Sequence, residues 1–538
     1  MWRRGDLVFD TEDSSSELLA AGKSGFGKKV TRIAAITDTG KRFHNRGQVK
    51  PFLKWCHEVG GDVWAFNAQY DIGNLCNGKE VKLDDFDMTL VKGRFIKGKI
   101  QGLNFYDVHN LSGAGSSVKS LGKAVGLEKL DSAKLGFDSE EYVFRDCEIP
   151  LRWLKFVQEK CAEMDIEKIP ATLGGLCTKA FKSLGHENWF DSSDDSRSAL
   201  TGARVELFSG GGKGRIAYVD INSLYPWAMT QNFPTHIERL EKLEGYGIAK
   251  ATVEVPKMRV APLPCKDDEG RLIFPIGKFS GVWTIHELKN AVRAGAKILK
   301  TDWILGSKEG RPFYRDYILT MYSNRMKAES PAENLFWKLL MNNLYGRLAI
   351  GGIISRSLNL TDANKDDGLP YGTKILADYN MPLPEFTNYL HAAHVLSYGR
   401  TRLFEFLKKI PADDLIYCDT DSIIFFCKDE IPFAVSKDLG EMKLENWGGR
   451  CIPYLPKTYR FDDVYKAKGV PKSKAKDFIL TGKAEYELPF KMREAITFYD
   501  AENSRKLSVW RKVEKIRAAK YDRKQISGNY FLPKRVKM

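Results

Sequence analysis

Carboxylates one or two residues apart at the tips of apolar runs are the groups in this chain best placed to do chemistry. The string Tyr417-Cys418-Asp419-Thr420-Asp421-Ser422 sets two of them between Leu415-Ile416 and Ile423-Ile424-Phe425. Acids crowded in this way repel one another and are costly to keep ionised unless a hard cation such as Mg²⁺ neutralises them. A third acid, Asp220, ends the run Ile216-Ala217-Tyr218-Val219 and opens Asp220-Ile221-Asn222-Ser223-Leu224-Tyr225-Pro226. If Asp220 faces the other two, the group suits two-metal phosphoryl transfer, in which the attacking oxygen is activated and the in-line transition state neutralised. A second acid set lies upstream: Asp10 and Glu12 after Leu7-Val8-Phe9, Asp71 after Asn67-Ala68-Gln69-Tyr70, and Asp146 four residues after Tyr142. Four converging acids and a group that orients water are what a phosphodiester hydrolase needs. For each string alone the alternative is an ordinary strand end or surface turn.

These groups act together only if particular elements bring them together. Residues 415–425 read as a strand-turn-strand hairpin with Asp419 and Asp421 at its tip, beside a strand ending at Asp220. Lys338, Asn342 and Tyr345 recur at i, i+4 and i+7, so a helix through Lys338-Leu339-Leu340-Met341-Asn342-Asn343-Leu344-Tyr345-Gly346 would present a cation and a ring on one face. Tyr314 to Lys327 reads as the helix before it, with Arg325 or Lys327 as the residue reaching a phosphate. Tyr142 and Asp146 are one helical turn apart and point the same way.

In this order the three downstream strings resemble motifs A, B and C of the family-B DNA polymerases, DxxSLYP, KxxxNSxYG and YxDTDS. Only Asn343 departs, standing where the family usually has Ser. The resemblance implies that Asp220 and Asp421 bind two catalytic metal ions, with Asp419 in support and the Ile221 carbonyl completing the set. It further implies that Leu224 and Tyr225 border the incoming nucleotide, Tyr225 excluding a 2'-hydroxyl. Lys338 and Asn342 would serve the triphosphate and Tyr345 the nascent base pair. The upstream set is similar to the DxE, Nx(2-3)(F/Y)D and YxxxD motifs of DEDDy 3'-5' proofreading exonucleases. That likeness makes Asp10, Glu12, Asp71 and Asp146 metal ligands, Tyr142 the residue orienting water, and Asn67 and Tyr70 contacts for a frayed primer end. Lys129 is an auxiliary phosphate contact on a weaker alignment. Asp107-Val108-His109 replaces the Ser-Leu strand ligand of the protein-primed branch.

Phe208-Ser209-Gly210-Gly211 resembles the YxGG motif, Gly399-Arg400 a GR pair that touches template, and Lys457-Thr458-Tyr459 the KxY motif at the primer terminus. Together they make Phe208, Gly210, Gly211, Arg400, Lys457 and Tyr459 candidate DNA contacts. The compact size and the KTY form point to the protein-primed polymerases of small bacteriophages and linear plasmids. That branch implies primer-template DNA, dNTPs, a terminal priming protein and a single-stranded-DNA-binding protein as partners of a monomer. It implies two Mg²⁺ ions per site, replaceable by Mn²⁺, and processive, strand-displacing synthesis. The alternatives are a primer-independent primase-polymerase with the same motifs and an inactive DNA-binding relative. The expected fold is α/β (α+β): an RNase H-like exonuclease domain over residues 1–165, a helical connection over 166–215, and palm and fingers over 216–447. Insertions are expected at about 228–320 and 350–386, and a basic thumb over 448–538. Turn signals at Gly351-Gly352, Asp366-Asp367-Gly368 and Pro382-Leu383-Pro384 make the second insertion a β-hairpin arm.

A chain of 538 residues exceeds one domain of ~100–200 residues. Lys and Arg outnumber Asp and Glu by 84 to 69, and from Cys451 onward by 22 to 10, so +12 of the net +15 lies in the last part of the chain, as suits a polyanion partner. Phe478, Tyr486, Phe490, Tyr499 and Trp510 interrupt that charge and favour a folded element. No run approaches the ~20 apolar residues of a membrane span, and no signal-peptide core precedes Asp10. The expectation is an intracellular protein, in host cytoplasm if the gene is viral or plasmid-borne. Nine cysteines without a CxxC pair encode no recognisable zinc ribbon, and neither Ser24-Gly25-Phe26-Gly27-Lys28 nor Gly210-Gly211-Gly212-Lys213-Gly214 has P-loop spacing.

Overall fold

The computed structural model describes residues 6–13, 30–76, 86–91, 94–136, 139–350, 353–359, 374–380, 383–489, 510–517 and 521–536. Expectations about Ser24–Lys28, Gly351-Gly352, Asp366–Gly368, Phe490 and Tyr499 lie outside them.

Alternation along Leu7–Asp13 builds the first layer. Leu7 and Phe9 point into one core with Phe52 and Phe105, while Val8 points into another with Val143, Cys147 and Leu154. A strand buried on both faces needs cover on both; the helices Val49–Val59 and Glu140–Glu163 provide it. Strand Leu7–Asp13 pairs antiparallel with Val30–Thr37 and parallel with Val63–Ala65, which in turn runs parallel to Leu103–Asp107. The sheet has nine strands, and its far edge is the hairpin Ile353–Asn359 and Lys374–Asn380, joined through Ser355↔Leu90 and Arg356↔Thr89. The described strands of the segment expected to be the second insertion thus pair antiparallel and extend the N-terminal sheet.

The second large sheet is antiparallel and runs, in spatial order, Val464–Ala467, Thr458–Phe461, Met442–Leu455, Gly212–Ile221, Ser422–Phe426, Leu415–Asp419 and Val205–Leu207. Ala217, Val219, Ile221, Ile423 and Phe425 pack against Leu403, Phe406 and Leu407 of the helix Tyr389–Leu407. The boundary expected at residue 448 falls inside Met442–Leu455, so the sheet continues to Ala467 before the following helix, Lys472–Thr481. The segment expected to be the first insertion carries its own core of Ala249 and Val253 on strand Tyr246–Val255, Phe279 and Trp283 on Ile276–Thr284, Ile304 on Lys297–Ser307 and Leu288 on the helix Ile285–Arg293. Arg535–Val536 returns to add a parallel strand to it.

Candidate functional site

Strand register brings the downstream acids together. Asp220 lies across from Ser422 on adjacent strands, and Asp419 pairs with the same Ser422 around the turn. Thr420 takes a left-handed φ of 64°, which turns the chain tightly between the two acids. The Ile221 amide donates to the Asp421 carbonyl at 2.7 Å, tying the end of one strand to the hairpin tip. Burial pushes Asp220 up to about 6, with Lys443 opposing the rise. It pushes Asp421 up to about 7, with repulsion from Asp220 adding to it. Asp419 is held differently: Lys457 pairs with one oxygen, and the Tyr417 hydroxyl donates to the other at 3.2 Å while accepting from the Lys457 amide at 2.8 Å.

The acids line a cavity of about 810 Å³ together with Lys457, Tyr459, Lys466, Lys468 and Lys472. Of these lysines, motif reading found only Lys457. Lys443, with its ammonium 3.7 Å from Asp220, was also missed, although it lies directly across from Asp220 in the strand register. Tyr225 and Tyr345 meet with ring centroids 4.9 Å apart, and a Cβ at Gly399 would touch both Leu224 and Tyr225 at 3.5 Å. Leu224 is itself buried.

Ser330 caps the helix Pro331–Leu348, its hydroxyl accepting from the Glu333 amide at 3.1 Å. On that helix Lys338 and Asn342 are exposed and Tyr345 is half-buried, as the shared face requires. Of the two basic candidates on the preceding helix, Lys327 lines a separate cavity of about 310 Å³ with Lys160, Glu163, Glu333 and Trp337.

Four of the expected DNA contacts are engaged by the chain itself. Arg400 is 4 % exposed, its guanidinium donating to both oxygens of Glu287 at 2.7 and 2.8 Å, so it is committed inside the protein. Phe208 is buried, with the Lys524 ammonium 4.0 Å over its ring. Gly210 and Gly211 allow close approach by this chain itself: an added Cβ would stand 2.4 Å from Asn529 Oδ1 and 2.1 Å from the Cys451 carbonyl oxygen.

The upstream acids also converge. Asp71 accepts from the Thr11 amide at 2.9 Å and hydroxyl at 2.8 Å, and Asn74 donates to that hydroxyl at 2.9 Å. Burial drives Asp10 well above the ordinary carboxylate range, with Asp71, Asp146 and Glu12 all repelling its charge. Burial likewise raises Asp146, against the pull of Lys129, whose ammonium is 2.5 Å from Asp146 Oδ2 and 5.1 Å from the Tyr142 ring centre. Asp146 Oδ1 is buried without a hydrogen-bond partner. Asn67 has φ of 65° and an exposed side chain, and Asp107 Oδ1 accepts from its amide and that of His109, each at 2.9 Å. Asp107, the last residue of the strand Leu103–Asp107, was singled out in the sequence only as part of the string that stands where the Ser-Leu ligand is expected.

In donor chemistry both acid sets suit a divalent cation, being hard oxygens that are crowded and partly buried, with Asp146 Oδ1 orphaned in the upstream set. Among the described residues no group of three or more His, Cys, Asp or Glu side chains stands in an arrangement that could hold a metal ion, and lysines balance part of the charge. No helix among them is long and apolar enough to cross a membrane.

The family described as DNA polymerase type B, organellar and viral, matches residues 136–366. A probable DNA polymerase of Ascobolus immersus is 30% identical over 303 residues, 51% of this chain and 25% of that protein. The primer-independent DNA polymerase PolB of Escherichia coli is 23% identical over 69% of this chain and 49% of its own length, and the DNA-directed DNA polymerase of Enterobacteria phage PRD1 27% identical over 54% of each. The chain thus spans a quarter to about half the length of these relatives. Phi29 DNA polymerase, complexed with primer-template DNA and incoming nucleotide substrates, superposes with a TM-score of 0.70 over 96% of this chain and 99% of that one, at 15% identity. Residues 136–366 are therefore similar to the organellar and viral type B DNA polymerases, and the chain takes the mixed α/β fold of Phi29 DNA polymerase.

Proposed function

We propose that this chain is a DNA-directed DNA polymerase with a separate 3'-5' proofreading exonuclease site. The observation that carries the reading is the pairing of Asp220 with the Asp419–Asp421 hairpin in a cavity of about 810 Å³ that lysines also line. Two Mg²⁺ ions, when bound, supply the Lewis acidity that activates the attacking oxygen and neutralises the phosphoryl group in transit. The chain's own residues do the rest. Asp220 and Asp421 hold the ions with the Ile221 carbonyl, Asp419 supports them through its tie to Lys457, and Lys338, with Arg325, meets the triphosphate. Tyr225, its ring tilted against that of Tyr345, closes the space a 2'-hydroxyl would need. The cavity-wall residues Lys457 and Tyr459 follow the primer strand. At the second site Asp10, Glu12, Asp71 and Asp146 are the ligands, Tyr142 and Lys129 steady the water and the phosphate, and Asn67 and Tyr70 receive the frayed 3' end.

Protein priming by a terminal protein, with processive, strand-displacing replication of a linear viral or plasmid genome, is the finer reading. The match along most of the chain to the Phi29 fold, including a hairpin at 353–380, favours it. Likeness to the primer-independent enzyme of Escherichia coli over 69% of this chain favours a second reading, in which strands start without a primer. Synthesis from dNTPs on unprimed single-stranded template separates the two. The test of the main proposal is extension of a primed template by wild type and Asp421→Ala, with a lane lacking dNTPs. Growth lost only in the variant, with degradation kept in both, is expected; no growth in the wild type would overturn the proposal.

A further inference from the structure

The strand at the edge of the second sheet, Val205–Leu207, is three residues long, yet it orders the hairpin that bears the acids. Cys418 pairs with Glu206 and Asp419 with Val205, and the Arg204 carbonyl accepts from the amide of Thr420, between the two acids, at 2.8 Å. So short an edge frays by itself unless something beyond the sheet holds it.

What holds it comes from the far end of the sequence. Glu206 is 3 % exposed and carries two cations, Arg204 and Lys524, themselves 1 % and 5 % exposed. Arg204 Nε is 2.5 Å from one carboxylate oxygen and Lys524 Nζ 3.0 Å from the other. The segment around Lys524 then runs along the loop that follows the edge strand. The Gly210 amide donates to the Asn529 carbonyl at 2.8 Å and the Phe531 amide to the Phe208 carbonyl at 2.9 Å. Two buried cations on one carboxylate are a poor way to fill a core, since an apolar side chain of similar volume costs less desolvation. Their retention here calls for a geometric reason.

We infer that Lys524 is a positioning residue for nucleotide addition: by gripping Glu206 it fixes the edge strand against which Asp419 and Asp421 are aligned. The inference rests on the polymerase reading above. Removing Glu206 would strand two buried cations and test only folding. Removing Lys524 leaves Arg204 and Glu206 as a neutral pair, so Lys524→Met is the informative change, with Lys524→Arg as the conservative control.

The full-length variants are compared in single-nucleotide extension for kcat and for dNTP KM, in degradation of single-stranded DNA, and in amide hydrogen exchange. The expected result for Lys524→Met is a kcat lower by about tenfold, a KM within about twofold of wild type and unchanged degradation. Amide exchange over residues 415–426 is faster, and Lys524→Arg restores both the rate and the protection. Wild-type kcat and wild-type exchange in Lys524→Met overturn the inference. So does an equal loss of extension and degradation with faster exchange everywhere, which makes Lys524 a residue of general stability. A wild-type protein that never extends a primer sinks the polymerase reading instead, and exchange at 415–426 still decides whether Lys524 orders the hairpin.

Discussion

At the scale of single residues, the acids of the downstream site differ in how their charges are kept. Asp419 has its counter-charge supplied by Lys457, whereas Asp220 and Asp421 crowd together and are raised by burial. These acids were legible in the sequence because each sits in a contiguous string at the end of an apolar run, so local pattern sufficed. Asp107 was not, because its work is to accept two backbone amides in a turn, which no side-chain pattern advertises. Burial lifts Asp107 from 3.8 to about 6. The folded state therefore holds this proton more tightly than the unfolded one, so the cost is absent below the unfolded value and complete above the folded one. Stability falls as pH rises across that window. Asp107→Asn keeps an oxygen for both amides and removes the charge, and should flatten melting temperature against pH, worth at most about 3 kcal/mol at 1.36 kcal/mol per unit; an unchanged pH slope would show that Asp107 does not titrate there. Tyr225→Val opens the space beside Tyr345 and should raise ribonucleotide incorporation by at least about tenfold in single-nucleotide assays. Unchanged discrimination would remove Tyr225 from that role.

At the scale of elements, helices with strong caps and hairpins with turn residues were readable, and their docking partners were not. Ser330, Pro331 and Glu333 announce the start of Pro331–Leu348. The hairpin at 353–380 was expected from its turn residues, but its addition to a sheet whose next strand is Phe86–Val91 depends on an edge that no local pattern marks. The strand Met442–Leu455 runs through the expected domain boundary because composition changes there while pairing does not. Gly211 is a close approach, as its motif suggests, and the group it approaches within the chain is the Cys451 carbonyl. Gly211→Ala, at φ of 69° and with a Cβ 2.1 Å from the Cys451 carbonyl oxygen, should destabilise the fold by about 2 kcal/mol in thermal or denaturant unfolding. Replacing residues 353–380 by a short flexible linker should leave addition of the first nucleotides intact and shorten the products made per binding event on a long template. Product lengths equal to wild type would remove the arm from any part in processivity.

At the scale of the whole molecule, separate acid sets on separate sheets predict separable activities. Asp10→Ala with Glu12→Ala should abolish 3'-5' degradation and leave extension, as read on one labelled primer; parallel loss of both would argue for a shared site. Of the net charge of +15, +12 lies after residue 450, in the part of the sequence that supplies Lys457, Lys466, Lys468 and Lys472 to the cavity. Each phosphate neutralised there adds about 0.9 to the slope of log affinity for duplex against log salt, so changing two of these lysines to Gln should lower that slope by nearly 2.

The return of the last described strand to the first insertion, Arg535 beside Ile276, and of the 353–380 hairpin to Phe86–Val91 bears on how the protein is born. On a ribosome, N-terminal strands emerge and begin to pack first. Here the nine-stranded sheet waits for residues more than 250 positions downstream to complete its edge, and the edge strand beside Asp419 waits for Lys524. Long-range pairings of this kind fold late and slowly. A nascent chain should therefore pass through a stage with its upstream acids already gathered and its downstream hairpin not yet aligned, able to trim DNA before it is able to build it.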